Sequence, residues 1–256
     1  MTSTSLFDLR GRTALVTGAS QGLGLVLARG LGQAGCRIIL NGRDPRKLDK
    51  AAEDLRTLGV DSLTAAFDVT QGAEISAALA QISHEAPIID ILVNNAGIQR
   101  RAPLAEMDES TFRQVIDTNL TSAFLVSRAV VPGMIARKQG KIINICSLMS
   151  ELGRSGTGNY AAAKGGLRML TRAMATEWAR YNIQVNGIGP GYFLTEMTRT
   201  LADDPTFDAW IKQRTPAGRW GHPDELMGAT VFLASEAASF VNGQILYVDG
   251  GLLAAI

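Results

Sequence analysis

Short strand-like apolar runs alternate with longer helix-like stretches from one end of this chain to the other, and no other feature narrows the fold as much. The strand-like runs lie at 12–17, 36–41, 62–69, 89–95, 140–147, 183–189 and 244–249. Apolar residues at helical spacing fill the gaps at 22–34, 45–58, 71–85, 108–137, 157–181 and 223–234. Such alternation predicts a seven-stranded parallel sheet, doubly wound, with helices on both faces. No repeat, low-complexity tract or linker divides residues 1–256, so a single α/β domain is expected, and 256 residues suffice for a sizeable core. Only 195–216 departs from the rhythm, with mixed charges, Pro205 and aromatic residues. It reads as an extra surface helix pair or, the favoured reading, as a lid over a substrate site.

Bulk properties exclude several classes. A net charge of +1 gives no field that would draw nucleic acid or an acidic membrane surface. No run approaches the roughly 20 apolar residues of a membrane span. The start, MTSTSLFDLRGR, lacks a charged stretch followed by an apolar core, so no secretory signal is expected and the cytoplasm is the expected compartment. Cys36 and Cys146 fall at the second and fifth strands. In the strand order 3-2-1-4-5-6 these are roughly 14 Å apart, beyond the roughly 7 Å that a disulfide allows between Cα atoms, so free thiols are expected. His84 and His222 form no metal-like cluster with them, and no metal site is expected.

Between the first strand and the first helix lies TGASQGLG, residues 17–24. Strand, glycine-rich turn and helix is the arrangement that sets a pyrophosphate against a helix N-terminus. Gly18, Gly22 and Gly24 let backbone approach phosphate and helix approach strand. The spacing G-x-x-x-G-x-G differs from the commoner G-x-G-x-x-G, and a plain tight turn would explain three glycines alone. The flanking strand and helix favour a dinucleotide, with Ser20, Gln21 and Leu23 completing the loop around it.

Farther on, Tyr160 and Lys164 stand four residues apart in an amphipathic stretch, on one face of a helix, and Ser147 precedes the tyrosine by thirteen residues. A tyrosine is a poor base at neutral pH because its free pKa is about 10. An ammonium one turn away favours the phenolate, and a serine hydroxyl can hold a substrate oxygen while the tyrosine moves its proton. Alone, Tyr-x-x-x-Lys is also an ordinary surface pair. Beside a dinucleotide loop it suits alcohol–carbonyl interconversion.

Taken together, the loop, NNAG at 94–97, Asn119, Ser147, Tyr160, Lys164 and PGYFLTEM at 190–197 resemble the short-chain dehydrogenase/reductase family, in order and along essentially the whole chain. The resemblance implies a Rossmann fold and hydride transfer to or from a nicotinamide coenzyme. It makes Tyr160 the acid/base, Lys164 its electrostatic partner and a ribose ligand, and Ser147 the holder of the substrate oxygen. Asn119, a poor helix former inside 108–137, would hold a water that links Lys164 to solvent. Asn95, Ala96, Gly97, Pro190, Gly191 and Thr195 would edge the coenzyme. Asp68 and Val69 would face adenine, although Asp68 or Thr70 also suits a helix N-cap before 71–85. Family members form tetramers through the equivalents of 108–137 and 157–181, so a homotetramer is implied.

The coenzyme and the substrate are read from strand ends. An NAD enzyme usually places an acid at the end of the second strand. This chain has Asn41 there, followed by Arg43, which can pair with a 2′-phosphate, so NADP is favoured and NAD allowed. A solvated RDPRK run is the plainer explanation of Arg43. Within the family, segments such as NNAGIQRRAPL and INICSLMSELGR look like those of members that act on sugar acids. Arg101 and Arg154 are candidates for a carboxylate, with Glu151 nearby, unless these charges pair with one another or across subunits. Met149, Tyr192, Met197 and Trp220 suit a pocket wall or ordinary core packing. The same catalytic set serves reduction of a carrier-bound 3-oxoacyl thioester, for which Arg100, Arg101, Arg137 and Lys138 would offer a docking surface. A coenzyme-binding regulator without catalysis is the non-enzyme reading, and the intact Ser, Tyr, Lys and Asn set counts against it.

Overall fold

Thr13–Val16, of which Ala14, Leu15 and Val16 are buried, form strand β1 at the centre of the sheet. β1 pairs in parallel with β2 (Arg37–Gly42) on one side and β4 (Ile91–Asn94) on the other. β3 (Ser62–Ala66), β5 (Gly140–Ile145), β6 (Ile183–Pro190) and β7 (Ile245–Val248) complete a seven-stranded parallel sheet in the order β3-β2-β1-β4-β5-β6-β7. This computed structural model describes residues 3–86 and 88–255, without the side chains of Ser3, Thr4 and Met197. The order reverses between β1 and β4, so a crevice opens there at the carboxyl ends of the strands.

Alternate residues of each strand face opposite sides. Ala14, Val16, Ile38 and Leu40 pack with Leu27 and Leu31 of α1 (Gly22–Gln33), with Leu48 and Leu55 of α2 (Pro45–Thr57), and with Leu233. Leu15, Ile39, Leu92 and Ile142 pack with Ile75 of α3 (Gly72–Ile82) and with Val126 and Val130. α2 starts where Asp44 accepts from the N–H groups of Arg46 and Lys47, with Pro45 fixing the first turn. Cys36 and Cys146 are free and buried, and burial pushes their thiols up to about 12 and about 11.

The expected helix at 108–137 is not uniform. It runs as α4 (Glu109–Ile116), a π turn (Asp117–Thr121) and α5 (Ser122–Arg137). The reason is Asn119, whose Nδ2 donates to the Val115 carbonyl, the acceptor that a regular α-helix gives to the backbone N–H of residue 119. By length and composition, Glu109–Arg137 could cross a membrane, contrary to the sequence expectation. Here Val115, Val126, Val130, Val131 and Met134 are buried in the protein. α6 (Gly158–Trp178) is the long helix after β5. The 195–216 stretch folds as a 3-10 turn (Glu196–Thr198), a single turn α7 (Arg199–Ala202) and α8 (Pro205–Arg214), the last capped by Asp204. The helix expected at 223–234 starts as a 3-10 turn (Pro223–Leu226) and continues as α9 (Met227–Ala234).

Candidate active site

The glycine loop is built for close approach. Gly18 has φ +60°, and a Cβ there would stand 2.9 Å from the Ala96 Cα. A Cβ on Gly24 would stand 2.3 Å from the Gly18 carbonyl oxygen. The loop is also pinned from β4, because Asn95 Nδ2 donates to the carbonyls of Thr17 (2.9 Å) and Gly18 (3.1 Å). In return, Thr17 Oγ1 accepts from the N–H groups of Asn95 and Ala96.

One crevice of about 1620 Å³ gathers every residue that the sequence assigns to the coenzyme. Gly18, Ser20, Gln21, Gly22, Leu23 and Gly24 line one end with Asn41, Arg43, Asp68 and Val69. Asn95, Ala96, Gly97, Pro190, Gly191 and Thr195 line the rest, together with Asn119, Ser147, Tyr160 and Lys164. Lining a crevice is not the same as facing a ligand. Asn41 is buried: its Oδ1 accepts from Gly18 N–H at 3.3 Å, and its Nδ2 donates to the carbonyls of Ala65 and Phe67 at 3.1 Å each. Its side chain therefore ties the glycine loop to β3. Asp68 divides its carboxylate. Oδ1 accepts from the N–H and hydroxyl of Thr70, and Oδ2 lies 4.0 Å from Arg43, whose side chain is 78% exposed.

Sequence reasoning missed Lys47. It lines the same end of the crevice, and its ammonium reaches Gln21 Oε1 at 3.5 Å. The signal was its place in RDPRK, within the first turn of α2. Gln21 Nε2 in turn donates to Glu196 at 3.0 Å, joining the glycine loop to the start of the 195–216 stretch.

Ser147, Tyr160 and Lys164, the expected reacting set, meet near the end of β5. Ser147 leaves the strand and caps the 3-10 turn Leu148–Ser150, accepting from Met149 N–H at 3.2 Å. Tyr160 lies in the first turn of α6. Burial raises its pKa, a hydrogen bond with Ser147 opposes that rise, and Cys146 and Tyr192 add to it. Lys164 is 4% exposed, and burial depresses its pKa to about 8. Its ammonium donates to the Ile145 carbonyl at 2.6 Å and stands 5.6 Å from the centre of the Tyr160 ring. Ser147 is thus the contact that favours the phenolate, and the Lys164 ammonium stands beside the ring. Asn119 is 2% exposed, and its Oδ1 accepts from Ile98 N–H while its Nδ2 donates to the carbonyls of Ile98 and Val115. Its side chain pins the loop after β4, so the expected water would have to rest on its main chain.

A second cavity, about 400 Å³, lies beyond Ser147. Met149, Arg154 and Tyr192 line it with Leu148, Leu152, Phe207, Trp210 and Leu252. The Arg154 guanidinium lies 4.4 Å over the Phe207 ring and donates to the Tyr192 hydroxyl at 3.4 Å. Arg101 donates to Gln99 at 3.0 Å, and its pKa is lowered by partial burial and then by Arg154. A guanidinium stays charged all the same. Neither arginine has an ion pair among the described residues, where Asp and Glu partners are otherwise common. Glu151 is corrected out of this group: it pairs with Arg168 and accepts from the Tyr247 hydroxyl at 2.9 Å, away from the cavity. Trp220 packs beneath Tyr192 and donates to Asp208, serving the wall from behind. The Met197 side chain lies outside the described residues.

Comparison with known proteins gives a consistent picture. A family model described as enoyl-(acyl carrier protein) reductase matches residues 18–253. The chain is 53% identical to the 2-dehydro-3-deoxy-D-gluconate 5-dehydrogenase of Formosa agariphila, over 99% of this chain and 97% of that one. It is 53% identical to the 5-keto-D-gluconate 5-reductase of Escherichia coli K12, over 98% and 99%. A gluconate 5-dehydrogenase from Burkholderia cenocepacia J2315, solved in complex with NADP and tartrate, matches with a TM-score of 0.97 at 51% identity over 100% of both chains. With likeness of this extent in both sequence and fold, the chain belongs to the short-chain dehydrogenase/reductase family of oxidoreductases.

Proposed function

We propose that the protein transfers a hydride between NADP(H) and a sugar acid, with D-gluconate and 5-keto-D-gluconate as its preferred pair. The observation that carries this reading is Arg154 in the wall of the second cavity with Arg101 within its electrostatic reach, two cations without carboxylate partners among the described residues, beside a dinucleotide-sized crevice that holds the Ser–Tyr–Lys set. The crevice fits the coenzyme: the glycine loop that opens α1 lines it, and the packing of Gly18 and Gly24 against backbone keeps that loop free of side chains there. When bound, the nicotinamide supplies or accepts the hydride.

The chain's own groups do the rest. The Ser147 hydroxyl holds the substrate oxygen. Tyr160 gives that oxygen a proton in reduction and takes it back in oxidation. Lys164 favours the phenolate, and Asn119 keeps the loop after β4 in place. Arg101 and Arg154 hold the carboxylate, with the Tyr192 hydroxyl beside them. The 195–216 stretch acts as a lid within a single-domain protein, its Phe207 closing on Arg154.

Other features support the finer parts. The Burkholderia relative is in complex with NADP and with tartrate, a hydroxy acid carrying two carboxylates. No acid ends β2, and Arg43 and Lys47 stand at that end of the crevice, which favours NADP while leaving NAD usable. Phe112, Phe124 and Met169 are exposed on α4, α5 and α6, which supports a homotetramer formed through these helices, in the cytoplasm. A second reading, reduction of a 3-oxoacyl thioester, draws on the apolar wall of the second cavity, which suits an acyl chain.

NADPH and NADH oxidation against 5-keto-D-gluconate, a neutral ketone and an acetoacetyl thioester separates these readings. Preference for the keto acid supports the proposal. Preference for the thioester moves it to the second reading, and no turnover of any carbonyl sinks both.

A further inference from the structure

Ser150 is 7% exposed and belongs to neither cavity wall, yet its hydroxyl joins two members of the reacting set. Ser150 Oγ accepts from the backbone N–H of Ser147 at 3.3 Å and donates to the backbone carbonyl of Lys164 at 3.0 Å. One oxygen thus fastens the end of β5 to the middle of the first turns of α6. We infer that Ser150 is a positioning residue, which sets the Ser147 hydroxyl against Tyr160 by clamping the Ser147 backbone to the helix that carries Tyr160 and Lys164. The inference rests on the reading of Ser147, Tyr160 and Lys164 as the reacting groups.

The Ser150 N–H also donates to the Ser147 carbonyl at 2.9 Å, but the Ser150 hydroxyl is the group that bonds both the Ser147 N–H and the Lys164 carbonyl. Ser147 is in an extended conformation, φ −165° and ψ 165°, with its own hydroxyl accepting from Met149 N–H. Without the Ser150 oxygen, the N–H of half-buried Ser147 loses its hydrogen-bond partner within the protein. The backbone would then turn to satisfy it, and the Ser147 hydroxyl would turn with the backbone. What faces Tyr160 is Ser147 and Cys146 from the end of β5, Lys164 from its own helix and Tyr192 from the end of β6. Of these only Ser147 favours the phenolate through a hydrogen bond. A displaced Ser147 therefore raises the pH at which Tyr160 becomes a base.

The test compares wild type, Ser150→Ala, Ser150→Thr and Tyr160→Phe in gluconate oxidation at saturating NADP. kcat, KM and the pH profile of kcat/KM are measured, together with NADP affinity by titration and thermal unfolding. Ser150→Ala should lower kcat about tenfold, the scale of one lost buried hydrogen bond, and move the rising limb of the profile to higher pH. NADP affinity should stay within about twofold, since the coenzyme cradle is untouched. Ser150→Thr keeps a hydroxyl and should restore both the rate and the limb. Should the alanine variant fail to fold, Ser150→Cys, of similar size but a weak hydrogen bonder, takes its place with the same expectations. A wild-type kcat and limb in the alanine variant would overturn the inference. So would a rate that falls with the folded fraction while the limb stays put, because that is a merely structural role. If Tyr160→Phe retains near wild-type turnover, the reading of the reacting set fails and this inference falls with it. An inactive Tyr160→Phe beside an unaffected Ser150→Ala removes the inference alone.

Discussion

Lys164→Met isolates the most exposed assumption in the proposed chemistry, that a buried ammonium makes Tyr160 a usable base. The ammonium lies 5.6 Å from the centre of the tyrosine ring. Two unit charges at that distance, at an effective dielectric constant of 20, interact by about 3 kcal/mol, or about two pH units in the tyrosine. The sign is fixed: the ammonium favours the phenolate, so its removal raises the tyrosine pKa. The effect also has a ceiling in pH. Burial holds Lys164 itself at about 8, so above that pH the wild-type side chain is neutral and gives the tyrosine little help. Wild type should therefore outpace the variant below about pH 8, and the two profiles should converge above it.

Methionine matches the length and unbranched shape of the lysine stem, so the core should close around it. The variant loses the hydrogen bond to the Ile145 carbonyl, and coenzyme must be kept saturating because the ribose contact expected of Lys164 is removed with the charge. The assay is kcat/KM for gluconate oxidation across the range in which Tyr160 titrates. An unmoved limb below pH 8 would refute the electrostatic role, whatever the change in rate. Stability gives an independent check. A folded pKa of about 8, against 10.5 for the unfolded chain, means the unfolded state binds more protons between those values. Wild-type stability should accordingly rise with pH across that window relative to Lys164→Met, and below it the buried charge should leave wild type at a disadvantage.

The other expectations are simpler. Tyr160→Phe should cut turnover about 10²–10⁴-fold while NADP titration stays normal, and turnover within about threefold of wild type would remove Tyr160 as the acid/base. Gly18→Val places a side chain 2.9 Å from the Ala96 Cα at a residue with φ +60°, so coenzyme affinity should collapse; an unchanged titration would misplace the loop. Arg101→Ala and Arg154→Ala should each lower kcat/KM for 5-keto-D-gluconate by about ten- to a hundredfold and leave a neutral ketone nearly untouched. Equal losses on both substrates would put the carboxylate elsewhere. Arg43→Ala should weaken NADPH more than NADH, but by only about three- to tenfold, because the guanidinium is 78% exposed and faces Asp68 at 4.0 Å. Equal losses for both coenzymes would overturn the 2′-phosphate role.

How far the sequence reached follows from how local each signal is. The strands and helices were legible because their periodicity is written in neighbouring residues, whereas the alternation and right-handed crossovers allow more than one strand order. The glycine loop was legible for the same reason. The break in the 108–137 helix was half visible: an asparagine inside it was conspicuous, but its partner, Ile98, lies 21 residues earlier on a loop whose position only the fold determines. Glu151 was misread because its two partners, Arg168 and Tyr247, come from α6 and β7 and are brought to it by tertiary packing alone. Lys47 was passed over because a lysine in a charged run carries no mark of the crevice beside it.

Asn41 shows why the end of β2 is informative and still misleads. Its identity was read as an absence, the acid that an NAD enzyme would place there. In the fold the same side chain holds Gly18 N–H with its oxygen and two β3 carbonyls with its nitrogen. A carboxylate at this position would keep the bond to Gly18 but would present oxygen to the Ala65 and Phe67 carbonyls, a buried repulsion between acceptors. Coenzyme choice and the shape of the phosphate cradle therefore meet in one residue. Local chemistry identifies the position. Only its partners show what the amide does for the architecture, and under the proposed preference for NADP, discrimination of the 2′-phosphate would fall to the cations around it, Arg43 and Lys47.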